Sequence, residues 1–373
     1  MKLENNMFKH INFIPQMEPS FDEKEANALF EYMKSGGWVT EFKKTREFEE
    51  EVRKFVGVKY CSIVSNGTIS LTLALFACGV GKGDEVIVPD YTMVATANCV
   101  FLTGANVVFS DVNKESCCLD LENIKKVITP KTKAIILVSI NGRYPTDLED
   151  IVSFCKEKNI YLIEDAAQSL GSFKEGKHLG TFGDVGSFSF AMPKVITTGQ
   201  GGALVTNNEE IIKKISMFRD FGREKSGEDH YLEMGWNFKF TDIQAVIGLE
   251  QMKKLLWRVE RKKEMYILYT QSLAEVSEVK FFPTNLADTS PMFIDISVPA
   301  EDRTGLIEYL KDKGIGTRMR YPALHSEPVY KRSGTYPVAK DMAKTVLWLP
   351  SSLKLSNGDI IIICEEIKKF FNK

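Results

Sequence analysis

Two acidic residues, Glu164 and Asp165, follow a short apolar run and precede a series of small residues in the segment IYLIEDAAQSLG, residues 160–171. In an open parallel sheet, ligands bind at the carboxyl ends of the strands. An acid at such a position could bind a metal, a ribose or a protonated heterocycle. A carboxylate that caps the following helix is an equally common use of this pattern. Taken alone, the segment leaves both interpretations open.

A lysine, Lys194, follows a second apolar run in the segment GDVGSFSFAMPKVITTGQGG, residues 183–202. Most lysines are surface charges, but here a buried-looking strand precedes the lysine and a glycine-rich run follows it. Burial in such a site can lower the pKa of the amine and make it nucleophilic. Lys194 lies 29 residues after Asp165. A carboxylate for a pyridinium nitrogen and a downstream lysine for a Schiff base are the pair that pyridoxal phosphate (PLP) requires.

A third segment, Ser65–Thr68 (SNGT), lies between an apolar run ending at Val64 and a helical pattern that begins at Ile69. A Gly-Thr pair at a helix N-terminus offers free backbone N–H groups and a hydroxyl to a phosphate. Ser189, five residues before Lys194, can add another hydroxyl. Ser, Asn and Thr also cap helices routinely, so this signal is weak by itself.

A fourth segment, Gly235–Gly248 (GWNFKFTDIQAVIG), alternates aromatic and polar residues before a helix that Thr241 or Asp242 caps. An ordinary corner between a strand and a helix would explain the alternation.

The spacing of apolar residues from 58 to 206 predicts short buried strands that alternate with helices. The predicted strands are Cys61–Val64, Glu85–Val88, Val107–Ser110, Ala134–Val138, Tyr161–Ile163, Gly186–Phe190 and Ala203–Thr206. The predicted helices are Ile69–Cys78, Met93–Thr103, Leu121–Val127 and Leu148–Glu157. This alternation indicates an α/β fold with a mostly parallel seven-stranded sheet, covered by helices on both faces.

After Thr206 the pattern changes to longer helices. The predicted elements are helices over Asn207–Arg219 and Thr241–Leu273, a strand-like stretch over Val279–Val298, a helix over Arg303–Lys313, a strand over Ile315–Met319 and a helix over Asp359–Phe371. We predict two domains in close contact. Residues 1–252 form an N-terminal segment and a large cofactor-binding domain, and residues 253–373 form a smaller α/β domain.

Composition excludes several other classes of protein. The 373 residues carry 48 Lys and Arg against 50 Asp and Glu, and a formal net charge of −2 argues against a nucleic-acid or polybasic membrane binder. No apolar run approaches the roughly 20 residues of a membrane span. Seven cysteines without a CxxC pair, together with the lack of a secretory signal, predict reduced thiols in a cytoplasmic protein. Four scattered histidines predict no metal site.

In combination, these segments resemble the DegT/DnrJ/EryC1/StrS sugar aminotransferases, which are PLP enzymes of the aspartate aminotransferase fold. The resemblance runs from Trp38-Val39-Thr40 to Tyr321–Tyr330. Its most specific parts are EDAAQSLGS, the run GDVGSFSF with the lysine and TTGQGG that follow it, and GWNFKFTDIQAVIG.

The resemblance implies catalytic roles for two residues. Lys194 would form the Schiff base and shuttle the proton, and Asp165 would pair with the pyridinium nitrogen so that the ring acts as an electron sink. Gln168 would lie near the ring and its 3′ oxygen. Some relatives replace the lysine with histidine and perform dehydration, so Lys194 favours amino transfer, with glutamate as the donor.

The resemblance also implies how the phosphate is bound. Gly67, Thr68 and Ser189 would hold the phosphate of the same subunit. Asn237 would reach the phosphate of the neighbouring subunit's cofactor, which predicts a homodimer with shared active sites.

Two segments depart from the pattern of the family. Met93 stands where relatives commonly place an aromatic residue that stacks on the ring, and a thioether can pack there. The turn from Ser139 to Asp147 is one residue longer than the usual His-x-x-Gly-x-x-x-Asp and lacks its histidine. An anionic keto acceptor is predicted from basic and aromatic residues in the segments that the resemblance assigns to the mouth of the site. These residues are Arg143, Tyr144, Arg318, Arg320, Tyr321 and His325.

The favoured acceptor is a nucleotide-linked keto sugar, for surface polysaccharide or glycan biosynthesis. A smaller phosphorylated keto compound, such as a triose phosphate, and a non-catalytic PLP-binding relative are the alternatives. A dehydrogenase-type nucleotide-binding protein is less consistent with the sequence, because Ser65–Thr68 does not supply G-x-G-x-x-G after the first strand.

Overall fold

The structure is a computed structural model and describes residues 13–372. The helices are α1 (Glu23–Lys34), α2 (Lys43–Val56), α3 (Gly67–Ala77), α4 (Ala95–Thr103), α5 (Leu121–Val127), α6 (Leu148–Lys158), α7 (Glu209–Arg219), α8 (Asp242–Lys253), α9 (Leu255–Ser272), α10 (Ala300–Asp312), α11 (Pro337–Thr345) and α12 (Asn357–Phe370). Short 3₁₀ turns lie at Ile140–Gly142 and Leu324–Ser326.

The strands are β1 (Tyr60–Val64), β2 (Glu85–Pro89), β3 (Asn106–Ser110), β4 (Thr132–Val138), β5 (Tyr161–Asp165), β6 (Phe173–Lys174), β7 (Lys177–His178), β8 (Val185–Ser189), β9 (Gly202–Thr206), β10 (Lys280–Phe281), β11 (Ile294–Ser297), β12 (Arg318–Met319) and β13 (Val346–Leu349).

Seven strands form the large sheet, in the order β1-β9-β8-β5-β4-β2-β3. β9 runs antiparallel to both of its neighbours, and the other neighbouring pairs are parallel. The fold class predicted from the sequence is therefore confirmed, and all seven predicted strands lie within two residues of the observed ones. Since β1, β5 and β8 point the same way, their carboxyl ends meet at one edge of the sheet.

Strand β4 shows why the sheet is covered on both faces. Its side chains alternate: Ile136 and Val138 pack into a core cluster with α3 and α4, whereas Ile135 and Leu137 pack into another with α6. All four are buried. A strand that is apolar on both faces must bury both, which explains its continuous run of hydrophobic residues.

A second sheet of four antiparallel strands, in the order β10-β11-β13-β12, lies in the C-terminal part of the chain. The stretch Val279–Val298 was predicted to be strand-like, but only β10 and β11 within it are strands. Helices α1, α2 and α11, strand β13 and the β6–β7 hairpin have no counterpart in the sequence prediction.

The single helix predicted over Thr241–Leu273 is wrong, because the chain forms two helices that meet at Lys254. The backbone N–H of Lys254 donates to Gln251 and Met252, which ends α8. Its ammonium lies 2.7 Å from both Asp22 and Glu25 at the start of α1. The amphipathic pattern continues across this break, so the sequence did not show it.

The predicted domain boundary between residues 252 and 253 falls at the last turn of α8 and stays a prediction. One core cluster of the large sheet also includes Phe282, Leu324 and Val346 from the C-terminal part. Among the described residues, no helix is long and apolar enough to cross a membrane.

Candidate active site

A cavity of about 840 Å³ lies at the edge of the large sheet where β1, β5 and β8 end. Its floor is formed by the residues after these strands, and its opposite wall comes from β12, β13 and the residues before β11. The lining includes seven of the eight cofactor residues predicted from the sequence, namely Gly67, Thr68, Met93, Asp165, Gln168, Ser189 and Lys194. Residues far apart in the sequence therefore meet in one cavity because parallel strands deliver them to one edge.

Asp165 ends β5 and is buried. Its carboxylate accepts hydrogen bonds from the Thr96 hydroxyl at 2.8 Å and from the backbone N–H of Ala167 at 3.2 Å. Burial raises the pKa of Asp165, while the Thr96 hydrogen bond and the charge of Lys194 act in the opposite direction. Glu164, in contrast, points to the other face of the strand and accepts backbone N–H groups from Gly180, Phe182 and Gly183. Asp165 therefore belongs to the site, whereas Glu164 stabilises the loop after β7.

Lys194 follows β8 and lies on the wall of the cavity. Burial lowers the pKa of its amine from 10.5 to about 8, and Asp165 partly opposes this shift. Among residues 13–372, its Nζ forms no hydrogen bond or ion pair, and its lining position leaves it open to the cavity. A partly desolvated amine without a partner is free to react as a nucleophile.

The N-terminus of α3 forms a cradle against Ser189. The Asn66 side chain caps the helix by accepting the N–H of Ile69 at 2.9 Å. A Cβ on Gly67 would lie 2.9 Å from Cβ of Ser189, so only glycine allows this close approach. The first N–H groups of the helix and the Thr68 and Ser189 hydroxyls therefore border one small space, which suits a phosphate.

Gln168 lies beside Asp165 with a fixed amide orientation. Its Oε1 accepts the backbone N–H of Asn141 at 3.0 Å, and its Nε2 donates to the Tyr321 hydroxyl at 3.1 Å. Burial raises the pKa of Tyr321 to about 12, so this hydroxyl stays protonated at neutral pH. Met93 lines the same cavity with 46% of its surface exposed.

Asn237 is exposed and lies outside the cavity of its own chain. It forms an isolated β-bridge with Asp220. Several large apolar side chains near it are also exposed, among them Leu232, Met234 and Trp236.

The structure does not bring most of the predicted substrate residues to the cavity. The Arg143 guanidinium is buried against Asp295, with N–O distances of 2.6 and 3.1 Å, and Arg320 contacts the same carboxylate at 2.9 Å. Burial would raise the pKa of Asp295, but the two guanidiniums hold it below its ordinary value. The two guanidiniums therefore share one buried carboxylate, and neither arginine lines the cavity.

Tyr144 and His325 are also held by other carboxylates. The Tyr144 hydroxyl donates to Asp288 at 2.9 Å, and Nδ1 of His325 lies 2.6 Å from Asp90. Of the residues predicted to bind the acceptor, only Tyr321 and Arg318 line the cavity.

Several residues of the site were missed by the sequence analysis. Thr96 holds Asp165, and Phe293 and Trp348 stack on each other at 4.3 Å on the far wall. No local pattern distinguishes them from core residues, since each reaches the cavity only through tertiary packing. The described residues contain no cluster of His, Cys, Asp or Glu that could hold a metal ion.

The residues present fit PLP. A buried carboxylate, an amine without a partner and a helix N-terminus that glycine opens toward a serine border the same cavity. They match the ring nitrogen, the aldehyde and the phosphate of the cofactor.

The family model of the DegT/DnrJ/EryC1/StrS aminotransferase family matches residues 19–368. The GDP-perosamine synthase of Escherichia coli O157:H7 is 35% identical over 97% of this chain and 100% of its own length. The dTDP-4-dehydro-2,3,6-trideoxy-D-glucose 4-aminotransferase of Saccharopolyspora spinosa is 31% identical over 94% of this chain and 95% of its own.

Among solved structures, the aminotransferase TlmJ from Streptoalloteichus hindustanus superposes with a TM-score of 0.91 at 30% identity, covering 96% of this chain and 99% of its own. The residues matched by the family model include every strand of both sheets. The chain therefore belongs to the DegT/DnrJ/EryC1/StrS aminotransferase family and is a PLP-dependent aminotransferase.

Proposed function

We propose that this enzyme transfers an amino group from glutamate to the keto group of a nucleotide-linked sugar that serves surface polysaccharide or glycan biosynthesis. The observation that carries the proposal is one cavity holding Asp165, Lys194 and the α3 cradle at one end and the unpaired cation Arg318 at the other. The similarity to relatives named for GDP- and dTDP-linked sugars supports the same class of acceptor.

Each residue at the cofactor end has a separate task. When bound, PLP supplies an aldehyde and an electron-withdrawing ring. Asp165 would hold a proton on the ring nitrogen, and Gly67, Thr68 and Ser189 would hold the phosphate. Nζ of Lys194 can accept and return a proton near neutral pH, since its pKa is about 8.

Arg318 is the residue that favours an anionic acceptor. Its guanidinium is exposed, lies 5.6 Å from the Trp348 ring and forms no ion pair or hydrogen bond with residues 13–372. An unpaired guanidinium suits a phosphate well, because it can donate two hydrogen bonds at once. The cavity has a volume of about 840 Å³, which is near the upper end for small-molecule sites. A cavity of this size can enclose a large acceptor.

We infer further that the active form is a homodimer with shared sites. Asn237 is exposed, as a residue that serves a neighbouring subunit must be, and the apolar side chains around it suit an interface. An obligate interface of this kind buries more than ~2,000 Å².

The test is amino transfer from ¹⁵N-glutamate, with products read by mass spectrometry. GDP- and dTDP-linked 4-keto-6-deoxyhexoses are compared with dihydroxyacetone phosphate as acceptors. We expect label in a nucleotide-linked amino sugar. Faster labelling of the triose phosphate, with none on any nucleotide sugar, would overturn the acceptor, and no labelling with any acceptor would favour a non-catalytic relative.

Two arginine variants test the acceptor contact. Arg318→Gln should raise KM for the acceptor by about tenfold or more, the loss of one charged hydrogen-bonding contact, with little change in KM for glutamate. Arg332→Gln removes another exposed arginine, outside the cavity, and should leave both values unchanged. A larger effect of Arg318→Gln on glutamate than on the sugar would assign Arg318 to the donor instead.

A further inference from the structure

Asn141 lies in the turn after β4, in the segment where this sequence departs from its family. It is fully buried and has left-handed backbone angles, φ 55° and ψ 31°. Asparagine tolerates this conformation better than other residues with a side chain. Gly142 follows with φ 78°, and a Cβ there would lie 2.5 Å from the carbonyl oxygen of Ser290. Two consecutive left-handed residues thus press the turn against the segment that leads into β11.

The Asn141 amide joins this turn to the small sheet. Its Oδ1 accepts the backbone N–H of Phe293 at 2.7 Å, and its Nδ2 donates to the carbonyl of Phe293 at 2.8 Å. Nδ2 also donates to Asp295 at 2.9 Å. Both donor hydrogens of the amide are therefore used, and the side chain replaces a strand partner at the start of β11.

The backbone N–H of Asn141 contacts Gln168, a residue that lines the cavity. Its N–H donates to Oε1 of Gln168, and Gln168 in turn donates to the Tyr321 hydroxyl. The Tyr321 ring contacts Trp348 edge-on at 5.2 Å, and Trp348 stacks on Phe293. The contacts form a closed ring through Gln168, Tyr321, Trp348 and Phe293, which begins at the backbone N–H of Asn141 and ends at its side chain.

We propose that Asn141 is a positioning residue, which sets the orientation of Gln168 and the spacing between the two walls of the cavity by clamping Phe293. Because the Asn141 N–H occupies Oε1 of Gln168, the amide of Gln168 presents Nε2 toward the cavity. The identity of the group that receives this donor rests on the proposed PLP function. The clamp itself does not depend on it.

The conformation and the clamp can be separated by substitution. Asn141→Gly keeps the left-handed turn and the backbone N–H to Gln168, and removes only the clamp. Asn141→Asp keeps the size of the side chain but places an acceptor against the Phe293 carbonyl and Asp295. Asn159→Gly is the matched control, because Asn159 has φ 54° and ψ 41° at the exposed end of α6, away from the cavity.

The full-length protein is compared in three measurements. Hydrogen exchange of the apo form measures how well the Phe293 N–H is protected. Titration measures the affinity for PLP, and steady-state kinetics measure kcat and KM separately. Both Asn141 variants should speed exchange in the peptide around Phe293, and should lower PLP affinity and kcat by about tenfold or more, as small displacements in active sites do. Asn159→Gly should leave all three unchanged.

Exchange at wild-type rate in both Asn141 variants would overturn the clamp. Faster exchange with wild-type PLP affinity and kcat would show that the clamp has only a structural role, which overturns the positioning proposal. A wild-type protein that binds no PLP would refute the proposed function, and hydrogen exchange around Gln168 and Tyr321 in the variants would then decide whether Asn141 positions this wall.

Discussion

The reactivity of Lys194 follows from its burial and can be calculated. With a pKa of about 8 in place of 10.5, about 9% of the amine is neutral at pH 7, against about 0.03% for an ordinary lysine. The neutral fraction is thus about 300-fold larger. Only the neutral amine is a nucleophile, so Lys194 should react far faster near neutral pH than exposed lysines do.

The assay is competitive labelling of the apo protein with trace acetic anhydride from pH 6 to 11, with each lysine read by peptide mapping. Labelling of Lys194 should rise with pH, reach half its maximum near pH 8 and then level off. Lys82, an exposed lysine, provides the comparison in the same map. A Lys194 midpoint near pH 10 would refute the inference that burial governs this amine.

Asp165→Asn tests the second part of the reasoning. The Asp165 carboxylate raises the pKa of Lys194, because a nearby negative charge favours the ammonium. Removing that charge should therefore move the labelling midpoint to lower pH. A shift to higher pH would show that the two groups do not interact as the structure indicates.

Three further outcomes are expected. Gly67→Ala should weaken PLP binding by about tenfold or more, because the new Cβ meets Ser189. Gly81→Ala is the control and should leave the affinity unchanged, since Gly81 has open space around it. Equal PLP affinities of the two variants in a titration would contradict the cradle. Lys194→Ala and Asn237→Ala should each be inactive. When the two variants are mixed and reassociated, half of the dimers are heterodimers with one intact site each, so the mixture should recover about a quarter of wild-type activity. An inactive mixture would place Asn237 in the site of its own subunit. Asp295→Leu should lower the free energy of unfolding by about 3–5 kcal/mol in urea denaturation, because it leaves two buried guanidiniums without a carboxylate to balance their charge; a loss below about 1 kcal/mol would contradict that pairing.

The sequence alone determined the large sheet and the cofactor end of the site. Each strand there is a short run of buried residues, and the functional residues lie at the end of a strand, shortly after one, or at the start of a helix. Asp165 and Lys194 were predictable because a parallel sheet brings strand ends to one edge whatever the details of packing. The break at Lys254 was not, since an amphipathic pattern continues through it and contacts with α1 end the helix.

The acceptor end was decided only by tertiary structure. The arginines at residues 143, 318 and 320 cannot be told apart in the sequence. In the structure they differ in burial, because Arg143 and Arg320 are buried and Arg318 is exposed. Arg143, in the turn after β4, and Arg320, directly after β12, both pair with the buried Asp295, because an unpaired buried charge would be costly. Arg318 instead lies beside Trp348 and lines the cavity. Asn141 likewise acquires its role from Phe293, 152 residues away in the chain. Long-range contacts of this kind leave no periodic signal, because they depend on how two sheets pack and not on the order of residues within either.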